Sequence, residues 1–249
     1  RMLHAKFLRS PNAHARIVKI DTTRAEALPG VRAVLTYKDV PKVHPSGRKF
    51  EYPLNEVLTY AGEEVAAIAA ETQTIATEAL ELIQVEYEVL PAVFDAEDAM
   101  KSDAPLVHPE YGTNLYHGTK ANPIPRITPG GWLPVEIGDI DKGFAEADFI
   151  IEGVYESPMQ APCSPMPRSV VCQWSGHKLT CWADTQIPMI ATKDLARCLG
   201  IPVSSVRVVA ACPVGGYGGK SPDKTAVLTA LLAKRTDRPV KTVFSRAED

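Results

Sequence analysis

Four glycines surround a single aromatic in Gly215-Gly216-Tyr217-Gly218-Gly219, and a cation and a hydroxyl, Lys220 and Ser221, follow directly. Glycines at this density permit left-handed backbone and leave N–H groups uncovered. Ser221 as N-cap and Pro222 at the first helical position would aim a helix dipole at whatever lies in the loop. The chemistry suited to that arrangement is the binding of an electron-rich or anionic group. Counting excludes two nucleotide motifs. A phosphate-binding P-loop needs a glycine five residues before Gly219, where Val214 stands, and Gly-x-Gly-x-x-Gly begun at Gly216 and Gly218 needs one at Ser221. A purely structural use, close packing at a strand-to-helix turn, stays open.

A second polar turn, Ala183-Asp184-Thr185-Gln186-Ile187-Pro188, also separates a predicted strand from a predicted helix. Gln186 would project from it. A neutral amide supplies both donor and acceptor for an oxo group or a cofactor edge without adding charge, and the alternative is a capping or solvated glutamine. Pro158, Pro162, Pro165 and Pro167 forbid helix and strand over residues 157–168, leaving an irregular loop. Arg168 at its end could clamp an anion or enter a structural ion pair. Cys163 within it lacks an evident histidine partner for nucleophilic work. The six histidines are scattered without a His-x-x-x-His pair, which argues against a protein-ligated metal. Glu63-Glu64 and Glu86/Glu88 fall at strand or turn positions, where solvation rather than catalysis is expected of them.

The elements that must position these residues belong to a chain of 249 residues, 45% hydrophobic and 23% charged, enough for a substantial core and two domains. A net charge of −3 with no basic block disfavours a nucleic-acid partner. No apolar run approaches a membrane span, and Arg9, Arg16, Lys19 and Asp21 interrupt any signal-peptide core, so a soluble, cytoplasmic setting is expected. The five cysteines form no Cys-x-x-Cys pair, which argues against a disulfide framework, a structural zinc site or an iron–sulfur cluster carried here. Most should be small buried hydrophobes. Strand-like sequence at both ends predicts a piece of a larger polypeptide, or a subunit completed by another chain.

Apolar periodicity predicts strands at 5–8, 15–20 and 31–37, a short helix at 22–28, a strand over 64–70 whose alanines would equally suit a helix, a helix at 74–83 and a strand edge at 85–89. This first α+β module ends near residue 100. Prolines and glycines without a sustained period mark 101–135 as a linker. Residues 136–249 carry a predicted short helix at 139–147 and strands at 149–156, 169–174 and 178–183. A helix over 188–199 closed by Gly200, strand 205–211, helix 222–234 and strand 240–244 complete the second α+β layer.

Taken in order, these segments resemble a family. Leu8-Arg9-Ser10-Pro11-Asn12-Ala13-His14-Ala15-Arg16-Ile17, Ala27-Leu28-Pro29-Gly30-Val31 and Gly62-Glu63-Glu64-Val65-Ala66-Ala67 are similar to the hammerhead module of the xanthine dehydrogenase/aldehyde oxidase molybdenum hydroxylases. Gly138-Asp139-Ile140 with Phe144, Asp184-Thr185-Gln186, the loop 215–220, Arg238-Pro239-Val240-Lys241 and the residues 245–249 resemble the first molybdopterin-binding domain of that family. The resemblance implies an α+β hammerhead over 1–100 and an incomplete molybdopterin domain over 136–249. It also implies molybdenum held by a molybdopterin, with or without a nucleotide extension, and oxidation of an aldehyde or N-heteroaromatic carbon with water as oxygen source. Electrons would pass to [2Fe-2S] clusters and usually FAD on partner domains or subunits. By position, Gln186 matches the glutamine that hydrogen-bonds the apical oxo group. Gly215, Gly216, Tyr217, Gly218 and Gly219 match the loop that approaches the metal, where the family usually has phenylalanine in place of Tyr217.

The departures from the pattern are equally specific. Val214 replaces the first glycine of the usual loop, and Tyr217 brings a hydroxyl to the pocket. Ser221 stands where purine-oxidising members carry a glutamate, which disfavours purine oxidation. Met166-Pro167-Arg168 replaces Glu-Pro-His or Glu-Pro-Arg and removes one side of an expected ion pair. The family's base glutamate lies in a later molybdopterin domain that these residues do not include. The expectation is a fragment or split subunit, inactive alone, that supplies one wall of the site. The alternatives are the related reductive chemistry on an aromatic acyl-thioester, or a scaffold that binds partner chains without metal.

Overall fold

The computed structural model describes residues 1–43, 52–115, 137–210, 214–220 and 224–248. Among these, a seven-stranded sheet and a three-stranded sheet carry the architecture. The large sheet is assembled from β1 (Leu3–Arg9), β3 (Val31–Thr36), β5 (Glu64–Ala70), β7 (Ser169–Ser175), β8 (Lys178–Ala183), β9 (Val206–Ala210) and β10 (Val240–Val243), in the order β3-β5-β1-β10-β7-β8-β9. β1 runs parallel to β10 and β8 parallel to β9; the other neighbours are antiparallel. The small sheet orders β4 (Val57–Leu58), β2 (Ala15–Asp21) and β6 (Gln84–Val89) antiparallel.

All seven residues of β5, Glu-Val-Ala-Ala-Ile-Ala-Ala, are buried, which is why alternation could not separate strand from helix there. The two faces serve different helices. Ala66 and Ile68 meet Ala79 of α2 (Gln73–Glu81), while Ala67 and Ala69 share a core with Leu228 and Leu232 of α6 (Lys224–Thr236). Small side chains on a strand covered from both sides let both helices approach closely. The Thr72 hydroxyl accepts from Ile75 N–H at 3.2 Å and so begins α2 as an N-cap should.

α5 (Pro188–Leu199) returns the chain from the end of β8 to the start of β9 and ends at Gly200, whose φ of 63° supplies the left-handed stop. α6 buries Ala226, Val227, Leu228, Ala230, Leu232 and Ala233, and its buried Thr229 is satisfied by Thr225 C=O at 2.7 Å and the Thr242 hydroxyl at 2.6 Å. The described residues also form three short α-helices, α1 (Thr23–Ala27), α3 (Ala96–Ala99) and α4 (Ile140–Glu146), the last capped by the Asp139 carboxylate on Lys142 N–H.

Two sequence expectations are corrected. Residues 149–156 alternate as a strand would, but they form none. No described strand pairs with them, so their backbone groups have no ladder to join, and Phe149 and Ile151 are 90% and 91% exposed. Glu63 and Glu64 are buried rather than solvated, each held by a cation: Lys224 at 3.1 Å on Glu63 and Arg9 at 3.1 Å on Glu64. Glu86 and Glu88 do lie on the surface, across from Lys19 and Arg16. The expected N-cap Ser221 and Pro222 fall outside the described residues.

Candidate functional site

The site follows from the parallel pairing of β8 and β9. Ala183 is aligned with Ala210, so the carboxyl ends of the two strands finish side by side at one edge of the sheet. Such an edge is where ligands collect in parallel α/β units. The turn leaving β8 carries Gln186; the residues beyond β9 carry the glycine loop. Positions thirty apart in sequence thereby become neighbours.

The two loops are joined through backbone and side chain. Gln186 N–H donates to Lys220 C=O at 3.2 Å, and Gly219 N–H closes a tight turn on Gly216 C=O at 2.7 Å. Gly215 at φ 70° and Gly218 at φ 88° use the left-handed region, and Tyr217 joins them at φ 48°, unusual for a residue with a Cβ. The Tyr217 side chain is exposed. Gly216 is buried directly behind the Gln186 carboxamide. A Cβ there would overlap the Gln186 Oε1, Cδ and Nε2 atoms, so only glycine permits this approach. The carboxamide itself is exposed and makes no hydrogen bond to any described residue. It is free to serve a ligand.

Beneath this rim lies a buried ion pair. Lys220 Nζ sits 3.3 Å from Asp184 Oδ2, with the side chains 1% and 6% exposed, and 3.5 Å from Val214 C=O. The contact with Asp184 Oδ2 is one of charge rather than of an aligned hydrogen bond, since that oxygen lacks a hydrogen-bond partner among the described residues. The outer wall is the proline-rich loop. A Cβ on Gly219 would meet Pro162 at 3.0 Å and one on Gly215 would meet Pro165 at 3.1 Å, so both glycines admit the prolines to close contact. Arg168 donates to Gly219 C=O, while Arg246 holds Ser164 C=O at 2.7 Å and Pro165 C=O at 3.0 Å. Arg168 therefore supports the loop through a carbonyl. The guanidinium also lies 5.9 Å from the centroid of Phe244, whose ring Arg9 approaches at 4.9 Å.

Sequence reading pointed to Gln186 and the glycines, and the structure brings them together. Ser221, the remaining expected pocket residue, lies outside the described residues. Asp184, Lys220 and Arg246 are not marked as site residues by their type or spacing. Lys220 ends the glycine run and Asp184 precedes Gln186 by two positions, but no periodicity marks a charged side chain for burial.

The residues present fit a cofactor with polar acceptors: a free carboxamide, a glycine surface without side chains, and a buried charge pair that leaves the rim neutral. Residues 1–91 match the family model for the aldehyde oxidase and xanthine dehydrogenase a/b hammerhead domain, and residues 124–249 match the molybdopterin cofactor-binding domain. The chain is 34% identical to the probable hypoxanthine oxidase XdhD of Escherichia coli (strain K12), covering 98% of this chain and 29% of that protein. It is 33% identical to the nicotinate dehydrogenase large molybdopterin subunit of Eubacterium barkeri, covering 99% of this chain and 55% of that one. Among solved structures, quinoline 2-oxidoreductase from Pseudomonas putida 86 superposes with a TM-score of 0.81 at 30% identity, over 99% of this chain and 31% of the other. A Cu,Mo-CO dehydrogenase superposes with a TM-score of 0.83 at 29% identity, over 99% and 32%. The chain thus spans from under a third to about half of the length of these relatives. Its two matched segments and its fold place it in one group: the chain belongs to the aldehyde oxidase and xanthine dehydrogenase family of molybdenum-dependent oxidoreductases.

Proposed function

We propose that this chain supplies one wall of the molybdopterin site of a larger oxidoreductase that oxidises an aldehyde or N-heteroaromatic carbon with water as oxygen source. Gln186 would donate its carboxamide N–H to an acceptor atom of the cofactor, and Gly215, Gly216, Gly218 and Gly219 would offer a surface that the cofactor can approach without meeting side chains. Tyr217, exposed at the loop tip, would bring its hydroxyl to the substrate, with Ser221 completing the pocket. The bound cofactor would supply the two-electron redox chemistry. The residues of this chain bind and orient it and exclude water from its buried side.

The observation that carries this reading is the Gln186 carboxamide held against the buried Gly216 backbone with its own hydrogen-bonding capacity unused by the described residues. Quinoline 2-oxidoreductase and nicotinate dehydrogenase, both named for N-heteroaromatic substrates, support the substrate class. In this reading the hammerhead covers residues 1–100 and the molybdopterin domain residues 136–249, joined by 101–135. The base glutamate would come from a second molybdopterin-binding portion, and [2Fe-2S] clusters and FAD from partner domains or subunits, in a cytoplasmic complex.

Metal and pterin analysis of the assembled protein is the test. Stoichiometric molybdenum is expected, with Gln186→Ala lowering turnover far more than molybdenum content. A fully assembled complex without molybdenum would favour a scaffold role and end this reading.

A further inference from the structure

We infer that Asp184 and Lys220 are positioning residues, a buried clamp that sets the separation of the Gln186 turn and the glycine loop. The inference rests on the cofactor reading above and extends it from the residues at the rim to the pair beneath them.

Lys220 acts at three points. Its ammonium lies 3.3 Å from Asp184 Oδ2 on the turn after β8 and 3.5 Å from Val214 C=O, the first described residue of the glycine loop. Its own carbonyl accepts from Gln186 N–H at 3.2 Å. One residue thus ties the start of the loop, its end and the neighbouring turn. The side chains are 1% and 6% exposed, so the pair lies behind the exposed Gln186 and Tyr217 side chains rather than among them.

Burial of two opposite charges is a poor way to gain stability, because desolvation offsets most of their attraction. It is an effective way to define geometry, since moving either loop separates the charges in a medium that screens them weakly. The geometry defined here has little slack. Gly216 approaches the Gln186 carboxamide so closely that a methyl group there would displace it, and a small displacement of either loop changes where that carboxamide points. The left-handed Tyr217 and the tight Gly216–Gly219 turn lie between the two ends that Lys220 holds, so both depend on the same clamp.

The experiment uses the full-length assembled protein with Lys220→Met, Asp184→Asn and the double variant, followed by amide hydrogen exchange, molybdenum content, the Mo(V) electron paramagnetic resonance spectrum and steady-state kinetics. In Lys220→Met, amides at 186 and 215–219 should exchange about tenfold faster or more. The Mo(V) spectrum should broaden or split, and kcat should fall about 100-fold with KM changed little. The double variant leaves no unpaired buried charge, so it should regain thermal stability while keeping the fast exchange and the altered spectrum. That separation is what a merely stabilising pair would not produce. If Lys220→Met does not fold, Asp184→Asn and the double variant carry the same expectations. Parent-like exchange and a parent-like spectrum in the folded variants would overturn the clamp. Absence of molybdenum from the parent would overturn the cofactor reading instead, and the exchange data would still judge the clamp.

Discussion

Glu63, on the turn that enters β5, and Lys224, the first residue of α6, form an ion pair of 3.1 Å in which the carboxylate is 1% exposed. The same carboxylate accepts from Asn55 Nδ2 at 2.7 Å and from Thr59 N–H at 2.7 Å and its hydroxyl at 3.2 Å, so its charge is fully hydrogen-bonded. The relationship joins the hammerhead segment to the helix that follows the glycine loop. It complements the parallel β1–β10 pairing, which links the same two segments on the sheet.

Breaking this pair from one side should leave an uncompensated buried charge. Lys224→Met is expected to destabilise by about 3 kcal/mol, and Glu63→Gln by less, because the amide still receives some of the same donors. Thermal or urea unfolding of the two single variants and the double variant measures the coupling. A coupling energy near zero would show that this ion pair does not help to hold the two segments together.

Gly216→Ala should cost little stability and much function. The clash it creates is with the mobile end of Gln186, which can swing toward solvent, so a loss of about 1 kcal/mol or less is expected. Turnover should fall as far as in Gln186→Ala, and the double variant should be no worse than either single one. Additive losses would mean that Gly216 serves the site independently of Gln186.

The Glu248 carboxyl predicts a particular acid response. Burial pushes its pKa up, but hydrogen bonds from Lys6 at 2.7 Å and from Ser245 N–H at 2.6 Å outweigh this and hold it below the ordinary carboxylate value. The unfolded chain therefore binds the proton more readily. This contribution is complete above the unfolded pKa and is lost as pH falls through the folded one. Urea midpoints from about pH 7 to about pH 3 should fall less steeply in Glu248→Gln than in the parent. Parallel curves would remove Glu248 from the acid limb.

Cysteine reactivity should divide by burial. Cys198 is pushed up to about 12 by burial and by the nearby Asp194 carboxylate. Cys172 is raised by burial and by the Cys181 thiol opposite it on β8. Neither presents a thiolate at neutral pH. Iodoacetamide on the native protein should modify the exposed Cys163 and leave Cys172, Cys181 and Cys198 unmodified until denaturant is added, as read by peptide mass mapping. Rapid native labelling of Cys198 would contradict its packing.

Local signals in the sequence determined most of the elements: the alternation of β2 and β6, the apolar stripe of α2, the Asp139 cap and the Gly200 stop all depend on residues within a turn or two of one another. Residue type made Gln186 and the glycines candidates without excluding a capping glutamine or close packing, and it is the resemblance to the family that favours a site there. The tertiary structure decided which of these signals were used. Residues 149–156 carry a strand's alternation but have no described neighbour to complete their hydrogen bonds, while the featureless alanines of β5 became the most buried strand. The charged residues Glu63, Asp184 and Lys220, which composition assigns to the surface, were drawn inside. Gln186 met Gly216 only because β8 and β9 are parallel neighbours with aligned ends. Periodicity is a property of a short segment, whereas strand pairing and the burial of a charge depend on partners distant in sequence.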